Sequence, residues 1–166
     1  MLKYLLAALV GLMAAITVVL SGAGAQTPPP LAAPFNPSFG DLMNTLVQPR
    51  HAKLGLIGRE QNWTLAAYES HQLKDALSNI AKWRPRFGGQ SVPELMESMT
   101  GEAIKALDEA IQAGDARQFA QAYSRLTDGC NGCHTALSHA YVVIKAPDQS
   151  AFQNQDFRVP AKAATP

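Results

Sequence analysis

Between Pro37 and Tyr141 the apolar residues recur at steps of three and four, and cap and stop residues break the run into four pieces. That period belongs to amphipathic helices. The first piece, Pro37 to Ile57, places Leu42, Met43, Leu46, Val47, Leu54 and Ile57 on one stripe. Asn36 suits its N-cap and Pro37 its first turn. Pro49 predicts a kink inside it, and Gly58 predicts its end. The second piece runs from Asn62, a good N-cap, to about Trp83, with Pro85 and Gly88-Gly89 closing it. The third opens at SVPE, where Ser91 and Glu94 fit a capping box, and reaches Ala113 with a weak point at Thr100-Gly101. The fourth begins at Asp115 after Gly114 and extends to Tyr141. No long segment alternates with period two; the only strand-like run is VVIK at 142–145. Four helices on short loops predict an all-α, up-down-up-down four-helix bundle.

The flanks read differently. Residues 1–25 have a short basic start at Lys3, an uncharged run from Leu5 to Leu20, and Ala23 and Ala25 in an A-x-A relation. This is the pattern of a cleaved secretory signal peptide. An uncleaved membrane anchor is the rival reading, because the apolar run approaches a span. Residues 26–36 form a Pro-rich linker, extended rather than packed. Residues 37–141 are then the bundle, and 142–166 an extended tail in which Phe152 and Phe157 are the side chains able to pin it. Loss of 1–25 removes Lys3 and no acid, leaving 13 basic and 13 acidic residues. A chain so balanced lacks the basic surface that nucleic acid requires.

The chemistry concentrates in CNGCH at 130–134, which holds both cysteines of the chain. Cys-x-x-Cys-His is the haem c attachment pattern. Each thiol adds across one haem vinyl group to form a thioether. Two intervening residues on a helix place both sulfurs along one haem edge. His134 then follows beneath the iron as its proximal ligand. Covalent attachment suits an exported protein, because the cofactor cannot be lost by dilution. Three other readings stay open: a disulfide, a redox-active thiol pair, and a zinc site using Cys130, Cys133 and His139. The redox pair lacks the βαβ context of thioredoxin-like enzymes, and zinc lacks a full ligand set.

A C-x-x-C-H near the end of the fourth helix of a bundle resembles the cytochrome c-prime type of monohaem c-type cytochrome. The resemblance covers about residues 37–141 and, apart from CNGCH, rests on architecture. It differs from the small globular cytochromes c, which carry the motif near their start. It also departs from its own family, where an aromatic-basic pair usually follows the haem histidine; TALSHAY stands there instead. The resemblance implies one haem c on Cys130 and Cys133 with His134 as iron ligand, and it allows a homodimer.

Function then turns on the opposite face of the iron. If the first and fourth helices are antiparallel, counting from the turns at Gly58 and Gly114 brings Met43 level with His134, roughly 30 Å along the axis. Met43 is the first candidate sixth ligand, and its alternative role is filler beside the haem. His51 is the second candidate, about 12 Å deeper, and otherwise a buried, hydrogen-bonded histidine. His71 and His139 read as surface residues. Trp63, Tyr68, Phe119 and Tyr123 read as core or haem wall, Arg50 and Arg125 as exposed or paired with propionates, and Asp108-Glu109 as a solvated face. A filled sixth site implies a periplasmic one-electron carrier, not an enzyme, that meets a redox partner protein. An open site implies binding of nitric oxide or another small gas. A peroxidase-type enzyme would need an open site and a distal acid-base group, for which His51 is the one choice.

Overall fold

The computed structural model describes residues 36–160. The signal peptide, nearly all of the linker and the last six residues of the tail lie outside the described residues. The described chain is all-α, apart from one two-residue hairpin, with four helical rods packed in sequence order as in an up-down bundle. The first rod joins α1 (Phe39–Leu42), a π-helical turn (Met43–Val47) and α2 (Gln48–Arg59). Then come α3 (Trp63–Trp83), β1 (Arg86–Phe87), β2 (Gln90–Ser91), α4 (Val92–Ala113) and α5 (Ala116–Ala136). No described helix is long and apolar enough to cross a membrane.

Several boundaries differ from the sequence reading. Ser38, not Asn36, caps the first rod, in a reciprocal capping box with Asp41. Asn36 and the Pro37 carbonyl instead accept from the Arg84 guanidinium, tying the start of the rod to the end of α3. The disturbance at Pro49 takes the form of the π turn before it. Proline lacks the N–H that would close a bond to Thr45, and its ring crowds that carbonyl. The widened turn lets the Gln48 N–H reach back to Met43 O, and Pro49 begins the next α-helix in its first turn.

Gly58 does not end the rod. It lies inside α2, where an added Cβ would collide with the Phe119 ring. The rod ends one residue later and unwinds through Gln61 at φ 53°. Asn62 caps α3 as expected, accepting from Leu65 N, and Asp115, expected as the start of the fourth helix, is the N-cap of α5, accepting from Arg117 N and Gln118 N. Ser91 is the N-cap of α4, but its side chain makes no capping bond. Its backbone is instead paired with Arg86 across the hairpin that Gly88 and Gly89 turn at φ 55° and 81°. The Thr100-Gly101 point leaves α4 unbroken. The fourth rod stops at Ala136, short of Tyr141, and the chain reverses at Ser138 with φ 63°.

Leu54, Ile57, Ile80, Val92, Leu107 and Leu126 form the fully buried centre of the core. Between the first rod and α5 the contacts run in opposite directions: Gly58 meets Phe119, Gly55 meets Tyr123, and His51 meets Thr127. These two rods are therefore antiparallel. Phe119, Tyr123 and His51 stack in a row, with centroids 5.9 and 4.7 Å apart, and Trp63 packs tilted on Phe119 at 5.7 Å. Tyr68 is on the surface, 58% exposed. Asp108 is not merely solvated; it accepts from buried Ser70 at 2.6 Å and from Lys74 at 2.5 Å. The tail returns along the bundle. Phe157 is buried against Phe152, and the Asn62 carboxamide donates to the Phe157 and Arg158 carbonyls.

Candidate functional site

His51 stands level with Tyr123 and Thr127. Two turns back along the first rod is Met43, and two turns on along α5 is His134. The antiparallel register thus carries both to one end of the bundle, about 11 Å beyond His51. There a cavity of about 220 Å³ opens between the π turn and the end of α5, and Met43, His51, Cys130, Cys133 and His134 all line it. The rest of its wall is mainly apolar: Phe39, Val47, Leu77, Met96 and Leu137, closed on the outside by Val142, Val143 and Ile144. A larger groove of about 550 Å³ runs between α3 and α4, but neither thiol nor imidazole reaches it.

Cys130 and Cys133 are free thiols one helical turn apart on α5. Burial, and then the neighbouring Cys133, pushes the Cys130 thiol up to about 11, and burial raises Cys133 as well. Both therefore stay protonated at neutral pH. Redox-active thiol pairs show the opposite shift, since they need a stabilised thiolate. Among the described residues no group of three or more His, Cys, Asp and Glu side chains is placed to hold a metal ion, which removes the support for a zinc site. His139 is turned elsewhere, bonded to Leu137 O at 2.6 Å and packed on Phe87 and Tyr141.

His134 is in the last turn of α5. Its Nδ1 lies 2.7 Å from Val142 O, so Nδ1 carries the proton and donates it. That is the ring's one hydrogen bond among the described residues, and in the neutral ring it leaves the lone pair on Nε2. Asn131, inside the motif, holds the same outer segment: its Nδ2 donates to Ile144 O at 2.9 Å and its Oδ1 accepts from Ile144 N at 2.7 Å.

The two candidate sixth ligands differ in their commitments. Met43 is half-buried on the π turn, facing the cavity. His51 is only 4% exposed and bonded through both ring nitrogens. Its Nε2 is 2.9 Å from Thr127 Oγ1 and its Nδ1 3.1 Å from the Tyr123 hydroxyl. Thr127 already donates to Tyr123 O, so it accepts from Nε2–H. Nδ1 is then the unprotonated nitrogen. The Tyr123 hydroxyl proton lies between it and His51 O, at 2.8 Å. Burial lowers the His51 pKa to about 4, so the ring is neutral at neutral pH.

His71 is on the surface, 3.4 Å from Asp75. Neither Arg50 nor Arg125 lines the cavity, and Arg50 donates instead to Leu46 O. Trp63, Phe119 and Tyr123 do not line it either, so they are core and not cavity wall. The sequence reading missed Val142, Tyr123 and Thr127 as partners of the two histidines, and Asn131 as a partner of Ile144. Asn131 was visible inside the motif, but nothing local announced its bond to a residue thirteen positions on. Compared with known proteins, the chain matches no family model, no curated protein and no solved structure.

Proposed function

We propose that this chain is an exported, periplasmic monohaem c-type cytochrome, similar to cytochrome c-prime, that transfers single electrons. One observation carries the reading. Cys130, Cys133, His134 and Met43 all line one mainly apolar cavity. The donor set fits haem c: two protonated thiols for thioethers, an imidazole with Nε2 unclaimed, and a methionine in the same cavity wall. Haem held there would supply a one-electron ferric/ferrous couple. Cys130 and Cys133 would anchor it, and His134 would ligate from α5. Met43 is the favoured sixth ligand, because His51 would have to give up its bond to Thr127. The apolar wall would limit water access. The cavity is smaller than the roughly 300–1,000 Å³ of typical enclosed ligand sites, so a large planar group must protrude past the exposed Val143 or displace the 142–144 wall.

The test is an absorption spectrum of the secreted protein, oxidised and reduced, with and without carbon monoxide. A covalent, low-spin haem spectrum indifferent to carbon monoxide is expected. A high-spin spectrum that shifts with the gas would make Met43 a packing residue and the protein a binder of nitric oxide or similar gases. A peroxidase role is less supported, since both His51 nitrogens are engaged and no free distal base is left. Covalent haem surviving replacement of both Cys130 and Cys133 by Ala would overturn the assignment.

A further inference from the structure

The spacer of a C-x-x-C-H motif need only set the distance between its sulfurs, and almost any residue does that. Asn131 does more. A carboxamide presents one donor and one acceptor on the same planar head, and here both engage the backbone of a single residue, Ile144. Between them the chain leaves α5 at Ala136, reverses at Ser138 and returns past His134. Val142, two residues before the clamp, then has its carbonyl against His134 Nδ1. Apolar burial holds little of this strap: Val142 and Val143 are 41% and 73% exposed, and only Ile144 is half-buried. Besides the His134 contact, what fixes it is the Asn131 clamp and the bond from Val142 N to His139 O.

We propose that Asn131 is a positioning residue: it clamps the 142–144 strap so that the Val142 carbonyl fixes the His134 ring with its proton on Nδ1 and Nε2 free for a metal. The geometric half concerns this chain alone. Its consequence for iron rests on the haem reading. A carbonyl accepting from Nδ1–H makes the imidazole a stronger donor, which favours the ferric state and lowers the reduction potential.

The experiment compares wild type, Asn131→Ala and, as a control, Thr135→Ala, whose hydroxyl bonds only the Asn131 carbonyl in the preceding turn. On the full chain without haem, amide exchange at Ile144 and the imidazole nitrogen shifts of His134 are read by NMR. In Asn131→Ala, exchange at Ile144 is expected to quicken at least tenfold, and His134 to lose its preference for the Nδ1–H tautomer; Thr135→Ala should change neither. An unchanged tautomer, with or without faster exchange, overturns the proposal. With haem attached, Asn131→Ala should shift the ferric/ferrous equilibrium about tenfold toward ferrous, about 59 mV for one electron. An unchanged potential beside a changed tautomer refutes the tuning claim. If wild type attaches no haem while the haem-free result holds, the functional assignment has failed and the positioning role has not.

Discussion

Gly129 stands one residue before Cys130, and its lack of a side chain sets how closely α5 approaches α4. An added Cβ would overlap the Met99 carbonyl oxygen and lie 3.1 Å from its carbon, with Thr100 Cγ2 at 3.3 Å. The obstacle is helix backbone, which cannot swing away. Alanine in a helix interior is worth about 1 kcal/mol more than glycine, so Gly129→Ala gains that much locally. Forcing a methyl into a filled contact costs about 1–3 kcal/mol, toward the upper end against backbone. The net expectation is a loss of about 1–2 kcal/mol. Gly132, one turn on, is the internal control: an added Cβ there meets only the Met99 sulfur, at 3.3 Å, the end of a flexible side chain. Gly132→Ala should be neutral or more stable by up to about 1 kcal/mol. Urea titration of both haem-free variants measures the difference. A Gly129→Ala protein as stable as wild type would show that α5 does not rest on α4 backbone beside Cys130. On the proposed haem reading, the same displacement should lower the yield of covalent haem in Gly129→Ala and spare it in Gly132→Ala.

Three further outcomes follow from the same packing. His51 is buried neutral, its pKa lowered from 6.5 to about 4; the unfolded chain binds the extra proton first, so this contribution to stability is full above pH 6.5, falls as pH drops toward 4 and then levels. The total loss is about 3 kcal/mol, and denaturation at stepped pH should show this fall in wild type and not in His51→Gln. On the proposed haem reading, Met43→Ala should convert a low-spin spectrum to a high-spin one that responds to carbon monoxide; an unchanged low-spin spectrum removes Met43 as ligand. Asn62→Ala removes the cap of α3 and both bonds to the tail. It should cost about 1–2 kcal/mol and speed proteolytic cleavage near Phe157, with equal cleavage rates counting against the pinned tail.

What the sequence determined by itself was what neighbours along the chain decide. The three-and-four period marked four rods. Asn62 and Asp115 marked where two of them begin, because a capping side chain reaches only its own first turn. The spacing of CNGCH put two thiols and an imidazole on the last turns of one helix for the same reason. A simple count of helical rise also carried Met43 toward His134, since antiparallel rods keep register when their turns lie at one end. Tertiary structure alone decided the rest. Gly58 looked like a helix stop and is a contact for Phe119; a missing side chain reads the same in either role until the facing helix is in place. Pro49 signalled a disturbance, but not that a π turn carrying Met43 would absorb it. His51 read as a second candidate ligand or a buried, hydrogen-bonded histidine, and only the fold supplied its partners, Tyr123 and Thr127, more than seventy residues away. The contact of Val142 with His134 left no local signal either, beyond the strand-like run at 142–145. It depends on a hydrogen bond between a helical side chain and an extended backbone, which only the folded path of the chain brings together.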